Sequence, residues 1–327
     1  MAINKFMRLA LKALSYPDID IRKTYQIERF MNYIKFPPTL LPKFQWRNQA
    51  LLSEGREILT RIYFPEEDTQ DHTLLFFHGG GWVTENVDTY NSVCIALARA
   101  THSKVISVEY RLAPEFPFPQ GFNDCYEAAR TLITRPESFG FDLQFDPQKV
   151  VLIGDSAGGN LTAAVSLRAR DEGIFRVPRQ ILIYPATYNN HRNSGDDPSP
   201  FPSVIENGTD YLLTSKRICE YTDLYKRDDS DLLNPYFAPL LAGDFSDQPD
   251  TLLITAEYDP LRDEGEEYGR RLKEAGNRVT SYRMKDALHG FMSLGIGYVH
   301  VRRAHELIQA FLNGSDTNVS DSKLAED

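Results

Sequence analysis

Cysteine is scarce in this chain, a basic excess is missing, and so are long apolar runs. Each absence closes off a class of function. Cys94, Cys125 and Cys219 are the three thiols in 327 residues. Odd in number and far apart, they suggest neither a disulfide framework nor the paired spacing of a zinc site. A reducing cytoplasm is therefore the expected compartment. Lys and Arg total 36 against 46 Asp and Glu, a net charge of −10. Nucleic acids and anionic membranes call for a basic footprint, so neither is an expected partner. No apolar run approaches the roughly 18–20 residues that a membrane-spanning helix needs. At the N-terminus Lys5, Arg8 and Lys12 interrupt Ile3, Phe6, Met7, Leu9 and Leu14, which reads as an amphipathic helix rather than a secretory leader. Internal repeats are absent.

What is present is an alternation of strands and helices. Residues 1–43 read as helical, punctuated by Pro17, Pro37, Pro38 and Pro42. Gln45–Leu52 and Glu57–Tyr63 then read as an antiparallel hairpin split by Glu54 and Gly55. Further strand-like runs are Leu74–Phe77, Val105–Glu109, Val150–Ile153, Gln180–Ile183, Leu252–Thr255 and Val279–Met284. Helical stretches fall between or after them at Val87–Ala100, Asn123–Arg135, Leu161–Asp171, Asp263–Ala275 and Val301–Leu312. This rhythm predicts an α/β fold: an eight-stranded, mostly parallel sheet flanked by helices. Between Pro185 and Leu252 the rhythm stops for too long to be a simple connection. An inserted helical piece at 186–250 and the N-terminal helices of 1–44 together predict a cap over a catalytic domain spanning 45–313. The polar tail, 314–327, reads as disordered.

The most informative stretch is Gly154-Asp155-Ser156-Ala157-Gly158. It fits G-x-S-x-G, follows the apolar run Val150–Ile153, and precedes Leu161, Ala164, Val165 and Ala169 at helical spacing. Strand, sharp turn and helix are the context in which that pattern exposes a nucleophilic serine. A serine hydroxyl needs a base to take its proton, and the base needs an orienting carboxylate. In a sheet of this kind the chain order is serine, acid, histidine, with both partners just beyond later strands. Asp259 follows Leu252–Tyr258, and His289 follows the next strand. An aspartate before Pro260 also suits the first turn of a helix, and Asp263, Glu257, His191 and His300 are weaker rivals by position. The run Leu74–Phe77 leads into His78-Gly79-Gly80-Gly81-Trp82. Glycines there let backbone N–H groups face a substrate and, with the N–H of Ala157, bind an oxyanion. His78 reads as an anchor for that loop.

Five motifs in this order, His78–Trp82, Tyr110-Arg111-Leu112-Ala113-Pro114-Glu115, Gly154–Gly159, Asp259–Gly265 and His289–Phe291, resemble the hormone-sensitive lipase family of α/β-hydrolases, bacterial carboxylesterases included. The resemblance covers residues 70–312. It implies Ser156 as nucleophile, His289 as base, Asp259 as its orienter, and Gly80, Gly81 and Ala157 as oxyanion donors. Tyr110, Arg111 and Glu115 are implied as supports. Trp82, Tyr188 and Tyr211, with Phe201, are candidate pocket-lining residues. The expected reaction is hydrolysis of short-chain acyl esters, a small-molecule substrate, without metal or cofactor. An amidase, deacetylase or carbamate hydrolase would use the same groups, and a non-catalytic protein on this fold is a further alternative. The resemblance also makes a homodimer an expectation, and no stable membrane association is expected.

Overall fold

The computed structural model describes residues 10–13, 15, 19–35, 44–53, 56–66, 72–140 and 145–315. Of the expected tail 314–327, residues 316–327 lie outside the described residues, as do the Glu54-Gly55 turn and residues 1–9 of the expected N-terminal amphipathic helix. Eight strands form one sheet: β1 (Trp46–Ser53), β2 (Arg56–Tyr63), β3 (Thr73–Phe77), β4 (Lys104–Val108), β5 (Val150–Asp155), β6 (Arg179–Ile183), β7 (Asp250–Tyr258) and β8 (Val279–Leu288). Their order is β1-β2-β4-β3-β5-β6-β7-β8. The pairs β1/β2 and β2/β4 are antiparallel, and every pair from β4/β3 onward is parallel.

The helices are α1 (Ile21–Lys35), α2 (Asn91–Thr101), α3 (Gln120–Thr134), α4 (Ala157–Glu172), α5 (Pro202–Asn207), α6 (Ser215–Tyr225), α7 (Arg262–Glu274) and α8 (Val299–Asn313). Every residue of β3 and β5 is buried, as continuous apolar strands covered on both faces must be. Alternate side chains serve opposite layers. Leu75 and Phe77 pack with Phe122, Leu132, Leu161 and Val165 of α3 and α4. Leu74 and Phe76 pack with Leu97, Ala98, Leu307 and Ile308 of α2 and α8. None of the described helices is long and apolar enough to cross a membrane.

Several element boundaries differ from the sequence reading. α2 starts at Asn91 rather than Val87, because Asn86 Oδ1 accepts the N–H groups of Asp88 and Thr89 and holds a turn there. α4 starts at Ala157, since Gly158 and Gly159 hide its first turn from an apolar-periodicity reading. β7 and β8 run on to Tyr258 and Leu288, and polar Arg283 of β8 is paired with Glu266 of α7.

Residues 184–249 carry α5, α6 and two single turns of tighter helix, Asp229–Leu233 and Pro239–Leu241. α1 lies against α6: the Ile21 N–H donates to buried Glu220 at 3.0 Å, and Arg217 meets Glu28 at 2.9 Å. Arg29 of α1 donates to Val83 O (2.7 Å) and Ala113 O (2.8 Å) and grips Glu115 with two nitrogens. Arg111 in turn forks onto Asp124, Nε to Oδ2 and Nη2 to Oδ1, both at 2.9 Å. Asp124 is buried while Glu115 is exposed, and that difference sets their worth. Asp124→Ala is expected to cost about 3 kcal/mol, and Glu115→Ala below about 1 kcal/mol. Urea unfolding of the two variants measures the difference.

Candidate active site

Ser156 stands between the end of β5 and the start of α4 with φ 55° and ψ −119°. A non-glycine residue held there costs about 1–3 kcal/mol, so its surroundings must fix it. The Ser156 N–H donates to Ile183 O at 2.9 Å, and its carbonyl accepts the Asn160 N–H at 3.0 Å. Both neighbouring glycines are required by space. A Cβ at Gly154 would lie 2.8 Å from Phe77 O, and one at Gly158 would overlap that same carbonyl.

Because β5, β7 and β8 run parallel, the residues after them gather at one edge of the sheet. Asp259 follows Tyr258 and His289 follows Leu288. His289 Nε2 lies 2.8 Å from Ser156 Oγ, and its Nδ1 lies 2.7 Å from Asp259 Oδ2. Asp259 is fully buried, and its Oδ1 accepts the Leu261 N–H at 2.8 Å. One carboxylate thus does both jobs weighed from the sequence, steadying the helix entry and meeting the histidine. The rivals are committed elsewhere. Asp263 accepts the Ser203 N–H and Glu257 the Asp286 N–H, each at 2.7 Å. His300 meets Lys285 O at 2.9 Å, and His191 meets Glu264 at 2.7 Å.

The glycine loop is tied to the elbow by Asp155. Its Oδ1 accepts the Gly79 N–H at 3.0 Å, and its Oδ2 accepts Tyr90 OH (3.0 Å) and Tyr184 OH (3.3 Å). Burial pushes this carboxyl up to about 6, against the lowering effect of those hydrogen bonds and of nearby His289. The Tyr184 ring lies 4.8 Å from that of His289, so the network touches that imidazole as well. His78 is buried, stacked on Tyr110 at 4.2 Å, and held down to about 4 by burial. It is a neutral anchor. Gly80 and Gly81 have φ of 101° and 60°, and neither N–H meets an acceptor among the described residues. The Ala157 N–H is the first of α4 and has no partner within the helix by position.

These groups line a cavity of about 310 Å³. Ser156, Ala157, His289, Gly80 and Gly81 share it with Leu213, Ile218, Tyr221, Leu261 and the edge of Trp82. Trp82 is otherwise stacked on Tyr225 at 4.5 Å. Tyr188, Phe201 and Tyr211 are not in its lining, a correction to the sequence expectation. Tyr188 packs edge-on to Phe201 at 5.2 Å, and buried Tyr211 stacks on Tyr258 at 4.9 Å. Their rings are satisfied by each other and by the sheet edge. No cluster of three or more metal-ligating side chains occurs among the described residues.

A family model described as the alpha/beta hydrolase fold matches residues 74–293. The chain belongs to that family. Within it, this α/β-hydrolase is of the hormone-sensitive lipase type that its motifs resemble. It is 36 % identical over 252 residues to an arylesterase of Saccharolobus solfataricus, covering 77 % of this chain and 78 % of that one. With an ethyl acetate hydrolase of Pseudomonas putida it shares 33 % over 246 residues, 74 % of each chain. Among solved structures it resembles a hyperthermophilic esterase of Pyrobaculum calidifontis, with a TM-score of 0.81, 33 % identity, and coverage of 96 % and 99 % of the two chains.

Sequence reasoning missed Asp155 and Tyr184 in this α/β-hydrolase, because the first is a free position of the pentapeptide and the second follows an ordinary strand. Asp155→Asn is expected to lower kcat about ten- to hundred-fold through a misplaced glycine loop, with a smaller change in KM. Steady-state kinetics on a protein of native circular dichroism checks it. Stability has its own pH dependence. His78 and His305 are both lowered from 6.5 to about 4 by burial. A lowered folded-state pKa gives stability that is present above 6.5 and lost as pH falls towards 4. Asp155, raised from 3.8 to about 6, works in the opposite sense as it gains its proton. Glu109, also raised by burial, acts with Asp155, but both imidazoles lose stability across the whole interval, so the melting temperature should fall from pH 6.5 to 4. The decline should be shallower in His305→Gln.

Proposed function

We propose that this α/β-hydrolase is a serine carboxylesterase acting on short-chain acyl esters. The observation that carries the reading is the line from Ser156 Oγ to His289 Nε2 (2.8 Å) and from His289 Nδ1 to Asp259 (2.7 Å) at a cavity with unfilled backbone N–H groups. Ser156 Oγ attacks the ester carbonyl carbon as Nε2 takes its proton. The carbonyl electron pair moves onto oxygen, where the N–H groups of Gly80, Gly81 and Ala157 meet it. Asp259 stays ionised and stabilises the imidazolium. On collapse the carbon–oxygen bond to the alcohol breaks and Nε2 returns its proton to that alcohol. Water, deprotonated by the same nitrogen, then releases the acid and regenerates Ser156.

Three further features support this reading. The relatives' printed names are ester hydrolases. The cavity is small, about 310 Å³, with Trp82, Tyr221, Ile218 and Leu213 in its lining, which favours a small acyl group. α1, α5 and α6 act as a cap in this scheme, since α1 contributes to the lining and is tied to α6 by Glu28 and Arg217.

Turnover of p-nitrophenyl esters graded from two to twelve acyl carbons tests it, with Ser156→Ala alongside. Activity should peak at short chains and fall at least about ten-thousand-fold in the variant. Unchanged turnover by Ser156→Ala would defeat the assignment, and activity rising towards long chains would defeat the short-chain part.

A further inference from the structure

We propose that Tyr221, carried by α6 of the cap, is a positioning residue for the glycine loop: it holds the peptide between Gly80 and Gly81 so that the Gly81 N–H meets the oxyanion. This rests on the reading above, in which that N–H is one of the donors. The mechanism gives Tyr221 no part, yet it lines the cavity together with Ser156, Gly80 and Gly81.

The first observation is the reason that position 81 is a glycine. Its backbone angle does not demand one. Gly81 has φ 60°, and in the same loop Trp82 and Glu85 hold φ of 60° and 63° with side chains in place. Space does demand one. A Cβ on Gly81 would lie 2.6 Å from Cδ2 of Tyr221, and closer still to Cγ and Cδ1. The phenol ring therefore rests directly against the Gly81 Cα. Gly80 differs. Its φ of 101° and the Thr84 carbonyl, 2.6 Å from a Cβ there, require glycine without help from the cap.

The second observation concerns the other end of the same peptide. A trans peptide is planar, so fixing the Gly80 C=O also fixes the Gly81 N–H, which points the opposite way. That carbonyl accepts the N–H of Val83 at 3.1 Å, the N–H of Thr84 at 2.9 Å and the Thr84 hydroxyl at 3.0 Å. The Tyr221 hydroxyl is in turn paired with that of Thr84. Tyr221 thus bears on the peptide from both sides, by its ring at Gly81 and through Thr84 at Gly80. A peptide between two glycines rotates freely unless its neighbours hold it. α6 is itself held by α1, through the Ile21 N–H on Glu220 and Arg217 on Glu28. The seating of the cap and the aim of an oxyanion donor are coupled by this one side chain.

Hydrolysis of p-nitrophenyl acetate by Tyr221→Ala, Tyr221→Leu and Tyr221→Phe, each with a native circular dichroism spectrum, tests the coupling. Acylation and deacylation both pass through an oxyanion, so kcat falls whichever step limits. Tyr221→Ala and Tyr221→Leu should lower kcat about ten- to hundred-fold, with KM changed less than about three-fold. Tyr221→Phe keeps the ring and should stay within about five-fold of the wild type. A short-chain trifluoromethyl ketone, whose adduct with Ser156 carries the same oxyanion, should lose affinity in proportion to kcat/KM. Gly81→Ala should cost about a hundred-fold in kcat/KM when Tyr221 is present and at least about five-fold less than that in the Tyr221→Ala or Tyr221→Leu background, where the ring is gone. An unchanged kcat in both ring-deleted variants, a loss confined to KM, or equal costs of Gly81→Ala in the two backgrounds overturns the inference and leaves the esterase reading standing. No hydrolysis by the folded wild type overturns both.

Discussion

The turn between β5 and α4 crosses the end of β3 so closely that Gly154 and Gly158 have no room for a side chain beside the Phe77 carbonyl. This contact fixes the rest of the site. It pins Ser156 at a backbone angle that an L-residue otherwise avoids, which lifts its hydroxyl clear of the sheet. It also brings the turn alongside the loop that leaves β3, so that Gly80 and Gly81 line the same cavity as Ser156. A larger gap would relax the serine and separate it from that loop.

Asp155 turns this proximity into a fixed relation. Lying inside the elbow, it holds the Gly79 N–H with one oxygen and the hydroxyls of Tyr90 and Tyr184 with the other. A buried carboxylate is costly unless hydrogen-bonded, and here three donors offset that cost. Through the Tyr184 ring the same network reaches His289. Ser156, His289 and the glycine loop are therefore adjusted to one another through the side chain of Asp155.

The sheet and the line from Ser156 through His289 to Asp259 were legible because they are local facts. Ser156 and Asp259 directly follow apolar strands and His289 follows the more polar β8, and parallel pairing carries strand ends to a common edge without further information. The pocket was not legible. Tyr188 and Tyr211 are aromatic and lie in the inserted segment, but whether such a ring faces a cavity depends on partners far along the chain, here Phe201 and Tyr258. Glu28 and Asn32 reach the cavity because α1 docks on α6 and on the loop at Val83. No periodicity in residues 21–35 announces that docking. Likewise the start of α2 was set by an asparagine turn that apolar spacing does not register.

The central claim is that Ser156 becomes covalently acylated. The direct measurement is mass spectrometry of the whole enzyme after reaction with an aryl phosphonate ester, followed by peptide mapping. The account predicts one adduct per chain, located on Ser156, and none in Ser156→Ala. An adduct on any other residue, or an active enzyme that takes up no label, would contradict it.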